Sequence, residues 1–485
     1  MKFTNLIFIW SLIFSVVSAV KPFTKIWENT EVARTIDVGK SYLKEQVAIK
    51  IKNIESEPAN QYIFGLPKEV RPDVSLVIAV YEGKSGKRSI LQPKVIPLKD
   101  DDVVYYEIKL PYPIAPGSNF SFFVSIIMTN QMHPYPEHIS MNTDQTLKVT
   151  TNAYIISPYD TLSYSLDFVN DKGLVVLDTH AFPVPLEKRE TNSGISYKSN
   201  DIIASNTLVS CDFSFVRNSP LPYVNFLQRD LWVSHWSSIL QLEEYYEVTN
   251  HAAKLDKGFS RAEYLSNGIH TKFHHSISAL RIPFDQTKKI EDGSIYYVDK
   301  VGNVSTSQFY ANELIIRPRY PLFGGWNYNF TIGWNYDLKQ FLKREKDEYI
   351  LTANILDGIY DSTYENVSFS IYLPEGADLI DYALPFSADE PTITHSVSYL
   401  DVGNGHLKIT FHFENLIDEM KNLVVILRYR YTTYSMLQKP LQAAFYIFIA
   451  LMGLYVLKKI DLSIKPTKNG ELIESEIEKV PEKQE

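Results

Sequence analysis

A chain of 485 residues is too long for one hydrophobic core, and its balance of 45% hydrophobic and 22% charged residues points to two or three globular domains. A formal net charge of -9, with no basic cluster in the large central region, excludes nucleic acid as a partner. The single cysteine, Cys211, excludes an intrachain disulfide, so the fold must rest on its cores and Cys211 is expected to be a small buried hydrophobe.

In chain order, residues 1–19 read as a secretory signal peptide. Lys2 precedes an apolar run from Leu6 to Val17, and Val17-Ser18-Ala19 offers a small-residue cleavage site. The chain beyond Ala19 is expected to be mainly β. Glu45–Asn53 alternates apolar and polar residues as a half-buried strand does. Val103–Leu110, Phe120–Met128, Thr161–Phe168, Glu313–Arg317, Glu365–Leu373, His406–Phe413 and Leu423–Tyr431 are read as further strands. Turn signals such as Pro116-Gly117, Asn218-Ser219-Pro220 and Pro374-Glu375-Gly376 separate them. Arg317–Trp326 cannot be helical: Pro318 and Pro321 remove backbone donors, and Gly324-Gly325 permits a sharp turn.

The sequence also repeats. Tyr112–Phe120 matches Tyr320–Tyr328 at an offset of 208, Tyr159–Leu166 matches Tyr364–Ile371 at 205, and Ile51–Asn53 matches Val248–Asn250 at 197. Three anchors in the same order predict two tandem, duplicated β-sandwich-like domains at residues 20–222 and 223–435. The boundary falls near Asn218–Leu227, where Ser219-Pro220-Leu221-Pro222 breaks the pattern. Four sequons make Asn119, Asn303, Asn329 and Asn366 glycosylation candidates, and aromatic neighbours at Asn119 and Asn329 are able to bury those two.

Residues 441–457 form an uncharged apolar run that spans about 26 Å as a helix, which suits the thinner reticulum bilayer. Lys458 and Lys459 come directly after it, and positive charge marks the cytoplasmic side. The expectation is a single-pass type I membrane protein with its bulk in the lumen and a charged, disordered cytoplasmic tail at 458–485. At about 100° per residue, Ala443, Tyr446, Ala450 and Gly453 fall within about 80° of one another. They are a candidate packing face for a partner's span, since close approach through small residues is what joins helices in lipid.

Catalytic and metal chemistry find little support. No HExxH and no G-x-S-x-G motif occurs, and the glycines of Gly83-Lys84-Ser85-Gly86-Lys87 are too close together for a phosphate loop. His270, His274 and His275 would suit a metal only on a helix, and Ser276–Ile282 offers no helical face. His133 and His138 bracket a kinked loop, Asp100-Asp101-Asp102 reads as solvated, and Cys211 has no flanking base. No catalytic residue, metal or cofactor is expected.

The segment Gly302–Trp326 begins with Asn303-Val304-Ser305 and ends with Arg317-Pro318-Arg319-Tyr320-Pro321-Leu322-Phe323-Gly324-Gly325-Trp326. It resembles the ribophorin I family, the large non-catalytic subunits of the endoplasmic-reticulum oligosaccharyltransferase. Pro134–His138, Arg229–Trp236, Glu243–Glu247, Lys257–Arg261, Leu373–Ala377 and Gln438–Leu441 match that family in order. Trp27-Glu28-Asn29 with Arg34–Val38 resembles its fungal members. The resemblance covers the length from signal to span and leaves out the charged tail. It implies residence in the endoplasmic-reticulum membrane and a role in complex assembly and acceptor presentation. The implied partners are the other oligosaccharyltransferase subunits, including the multispanning catalytic subunit, and nascent polypeptides. Catalytic residues would lie in that other subunit, whose WWDYG signature Gly333–Asp337 does not match. The rival expectation is a single-span type I surface receptor or adhesion protein, which would usually carry disulfides and a longer span.

Overall fold

The strand expected from Glu45 forms as Leu43–Asn53, and its alternation is realised as a row of buried Leu43, Val47, Ile49 and Ile51 facing the core. The other expected strands form with shifted ends, among them Val103–Ile114, Asn119–Met128, Tyr164–Val169, Glu313–Ile316, Thr363–Tyr372, His406–Ile417 and Val424–Arg430. The structure is a computed structural model that describes residues 23–460 except 84–85, 98–101, 170–181, 192–193, 268–274, 347, 387–388, 399–400 and 402. The signal peptide, the tail beyond Ile460, Asp100, Asp101, His270 and His274 therefore lie outside the described residues. The described chain is mostly β, closed by one long apolar helix, Thr433–Lys459.

Two eight-stranded sheets organise it. Numbering only their strands, the first holds β1 (Trp27–Asp37), β2 (Leu43–Asn53), β3 (Val74–Glu82), β4 (Arg88–Leu91), β5 (Asn119–Met128), β6 (Tyr164–Val169), β7 (Glu187–Thr191) and β8 (Gly194–Ser199). The second holds β9 (Pro222–Ser234), β10 (Ile239–Asn250), β11 (Tyr296–Asp299), β12 (Gly302–Asn303), β13 (Asn327–Asp337), β14 (Thr363–Tyr372), β15 (Thr392–Ser396) and β16 (His406–Ile417). Their orders are β7-β8-β6-β1-β2-β5-β3-β4 and β15-β16-β14-β9-β10-β13-β11-β12, so each strand has a counterpart at the same place. Among the described residues, both have a single parallel strand pairing, β1 with β6 and β9 with β14. Smaller sheets correspond too. Ala59–Pro67, Val103–Ile114 and Lys94–Ile96 match Leu280–Pro283, Glu313–Ile316 and Gln308–Tyr310 in order. The small sheets cover the large ones. Tyr62 sets its ring 5.1 Å from Phe122, and Phe284 sets its ring 5.0 Å from Trp334.

The likeness extends to single hydrogen bonds. Asn53 Nδ2 donates to Ile114 O and Asn250 Nδ2 to Leu322 O, both at 2.9 Å. Gly117 N donates to Asn53 O at 2.8 Å, and Gly325 N donates to Asn250 O at 2.7 Å. Gly117 (φ +70°) and Gly325 (φ +77°) occupy left-handed backbone that glycine adopts without steric cost. Ile114 with Leu322, and Gly117 with Gly325, stand at the offset of 208 seen in the sequence. Each first hairpin also buries a charge pair, Arg34 with Glu45 and Arg229 with Glu244. Removing one partner of such a pair strands the other charge and costs about 3–5 kcal/mol.

The halves are joined by side chains as well as by the chain. Tyr42, in the turn after β1, lies in the hydrophobic core of the second half, and its hydroxyl donates to Asp418 Oδ1 at 2.6 Å. Ser41 N donates to Asp361 Oδ1 at 2.6 Å, and Arg217 pairs with Asp361 at 2.7 Å. Around the connection, Leu221 is buried and Gln145 Nε2 donates to Arg217 O at 2.9 Å and Ser219 O at 3.1 Å. Pro222 already belongs to β9, so the strand starts one residue before the boundary expected at 222/223. Gly324 lies so close to Ala252 and Ala253 that a Cβ would overlap their carbonyl oxygens, which explains a glycine after the buried Phe323.

Candidate site at the base of the C-terminal helix

The helix begins at Thr433 rather than at Leu441, where the apolar run starts. Thr432 caps it: its Oγ1 accepts from Ser435 N at 3.1 Å. Pro440 lies inside the helix, so Met436 O loses the amide donor it would have four residues on. Trp236, in the turn between β9 and β10, supplies a donor instead, its Nε1 reaching Met436 O at 3.0 Å. Two residues far apart in sequence thus answer one another, and the folded part is tied to the helix there.

A charged knot adds a second tie. Lys439 Nζ pairs with Asp401 and lies 3.3 Å from Glu375 Oε2. Glu375 Oε1 accepts from Gly403 N at 2.6 Å, and Asp401 Oδ2 accepts from Ser398 N at 2.6 Å. Burial opposes ionisation of Asp401, but the Lys439 ammonium and the Ser398 N–H outweigh it and hold its carboxyl below the usual range. His406 Nδ1 donates to Leu373 O at 2.8 Å, which leaves Nε2 facing Asp401 at 3.5 Å. Gly376 (φ +78°) turns the chain beside Ser435, whose Cβ would sit 3.0 Å from a Cβ at Gly376. Trp232 stacks on Tyr372 at 3.8 Å with the rings 8° apart. His235 contacts the Tyr429 hydroxyl at 2.8 Å through Nε2, and burial pushes its pKa down to about 4.

Between these elements and the helix runs an open cleft of about 830 Å³. Trp232, Trp236, Gln241, Tyr431, Ala443 and Tyr446 are among the residues that line it. Of the expected packing face, Ala443 and Tyr446 therefore border the cleft, while Ala450 and Gly453 lie further along the helix, exposed, with open space around Gly453. The sequence pointed to Trp236, Glu375 and Lys439 only through the family resemblance. Their mutual geometry carries no local pattern, although an internal proline followed by an apolar run is a legible sign of a helix needing outside help.

The remaining sequence candidates scatter. Asn119, Asn303 and Asn366 are exposed, whereas Asn329 is half-buried and donates from Nδ2 to the Tyr245 hydroxyl at 2.9 Å. His275 is buried, and His138 sits in a short pairing with Lys254 that bridges the two halves. Cys211 is buried, with its thiol pushed up to about 11 by that burial.

The family described as Ribophorin I matches residues 27–458. A Caenorhabditis elegans dolichyl-diphosphooligosaccharide--protein glycosyltransferase subunit 1 is 27% identical over 452 residues, covering 92% of this chain and 75% of the relative. Subunit 1B of Arabidopsis thaliana is 28% identical over 473 residues, covering 94% and 98%. Subunit 1 of Schizosaccharomyces pombe is 24% identical over 449 residues, covering 91% and 95%. With both large sheets, the joint between them and nearly all of the C-terminal helix inside the matched span, the chain belongs to the ribophorin I family.

Proposed function

We propose that the chain is a non-catalytic subunit of the oligosaccharyltransferase that N-glycosylates nascent proteins in the endoplasmic-reticulum lumen. The observation that carries this reading is the family match across residues 27–458, with relatives named as subunit 1 of that transferase in animal, plant and fungus. The helix Thr433–Lys459 is long and apolar enough to cross the reticulum membrane. Lys458 and Lys459 at its end support a type I orientation with the sheets in the lumen. The corresponding strand orders and the paired Asn53 and Asn250 bonds support two duplicated domains, 20–222 and 223–435. The catalytic residues lie in a multispanning partner subunit. This chain supports assembly and presents acceptor polypeptides, and Ala443, Tyr446, Ala450 and Gly453 pack on a partner span. Depletion of the protein should leave acceptor glycoproteins underglycosylated without abolishing transfer, read as added mobility on gels. Unchanged site occupancy after depletion would refute the role.

A further inference from the structure

The two halves turn the same end of their fold toward different neighbours. In the first half, that end is the turn between β1 and β2 together with Arg217, one residue past the strand Ser210–Val216. In the second, it is the turn between β9 and β10 together with Tyr431, one residue past the strand Val424–Arg430. Turn and exit residue touch in both: Arg217 Nη1 donates to Val38 O at 3.0 Å, and the His235 and Tyr431 rings lie 4.9 Å apart. The first half's end is covered by folded polypeptide, with Tyr42 fully buried and Lys40 and Arg217 paired with Asp418 and Asp361. Beyond contacts within its own sheets, such as His235 with Tyr349 and Tyr429, the second half's end meets the C-terminal helix, where Trp236 reaches Met436 O. Trp236 there remains 56% exposed above the cleft.

The cleft continues down the helix past Pro440 to Ala443 and Tyr446, so it runs from the folded part onto the start of the apolar run. Its charged groups are already matched. Lys439 is held by Glu375 and Asp401, and His406 by Leu373 O, which leaves no spare cation for a lipid phosphate among the described residues that line it. The surface still open is mostly aromatic and aliphatic, with Gln241 and Gln438 as neutral polar groups. We propose that this cleft docks a partner subunit's polypeptide at the point where that partner's own helix leaves the bilayer, with apolar side chains against Trp232, Trp236 and Tyr446. It is the counterpart of the surface that docks the second half onto the first. The proposal rests on the subunit reading above.

The test is site-specific photo-crosslinking of the full chain in its native membranes, with p-benzoylphenylalanine in place of Gln241 or of Tyr446. The control places it at Tyr310, which is 79% exposed on the strand Gln308–Tyr310. Both cleft positions should join the chain to one copurifying transferase subunit, at residues within a few positions of the luminal end of that subunit's span. Ala443→Trp, which fills the cleft from the helix side, should lower that crosslink about tenfold. Lipid adducts alone, a yield no higher than at Tyr310, or capture of a partner residue remote from any span would overturn the assignment. If transferase subunits still copurify in that case, only the cleft assignment falls. If none copurifies, the subunit reading falls with it.

Discussion

Asn329 differs from the other three sequon asparagines in what its amide does. Its Nδ2 donates to the Tyr245 hydroxyl at 2.9 Å and approaches Glu247 at 3.5 Å, so a glycan on that nitrogen would break a half-buried network. Mass spectrometry of the purified protein should find glycans at Asn119, Asn303 and Asn366 and none at Asn329. The sequence made half of this visible, because the aromatic residues around Asn329 announce burial; the same signal at Asn119 misleads, since that residue opens β5 and is exposed. Histidines give a second test. Burial pulls His235 down to about 4, and burial with the neighbouring His133 pulls His251 to about 4. In the unfolded chain both take a proton near 6.5, so between those values the unfolded state binds more protons and stability falls with falling pH. Thermal melts of the full chain in detergent should show Tm dropping as pH is lowered from about 7 to about 5. In a His235→Gln, His251→Gln variant the drop should be shallower. Equal slopes would mean that these two rings do not carry the dependence.

At the scale of elements, alternation located the strands because half-buried sheets must alternate, and turn residues such as Pro116-Gly117 marked where they end. The C-terminal helix was located less completely. Hydropathy detects only the continuous apolar run, whereas Thr433–Pro440 mixes Tyr434, Met436 and Leu437 with polar residues and is supported by the Thr432 cap and by Trp236 at Met436 O. The face of Ala443, Tyr446, Ala450 and Gly453 is exposed along the helix, and nothing lies within 4 Å of a Cβ built on Gly453. Ala450→Leu with Gly453→Leu therefore leaves this chain's own fold untouched and raises its apolarity, so membrane insertion should persist. Recovery of the catalytic subunit with the tagged double variant should fall below that with the unmodified chain at equal expression. Equal recovery would place the holding contacts in the folded β part.

At the scale of the molecule, the turn shared by Tyr112–Phe120 and Tyr320–Tyr328 was legible from its chemistry around Gly117 and Gly325. The joint between the halves was not. Lys40, Tyr42, Arg217, Asp361 and Asp418 meet across more than half of the chain, and neither periodicity nor spacing records such a meeting. That joint buries Leu221 and engages Arg217 O and Ser219 O, so the connection is packed rather than a free linker. Affinity purification of the tagged full chain in mild detergent reads assembly itself. Membership of the transferase predicts that its other subunits, the multispanning catalytic subunit among them, are recovered with the chain in near-equal amounts. Recovery of the chain alone, or with cell-surface proteins and no transferase subunit, would contradict it.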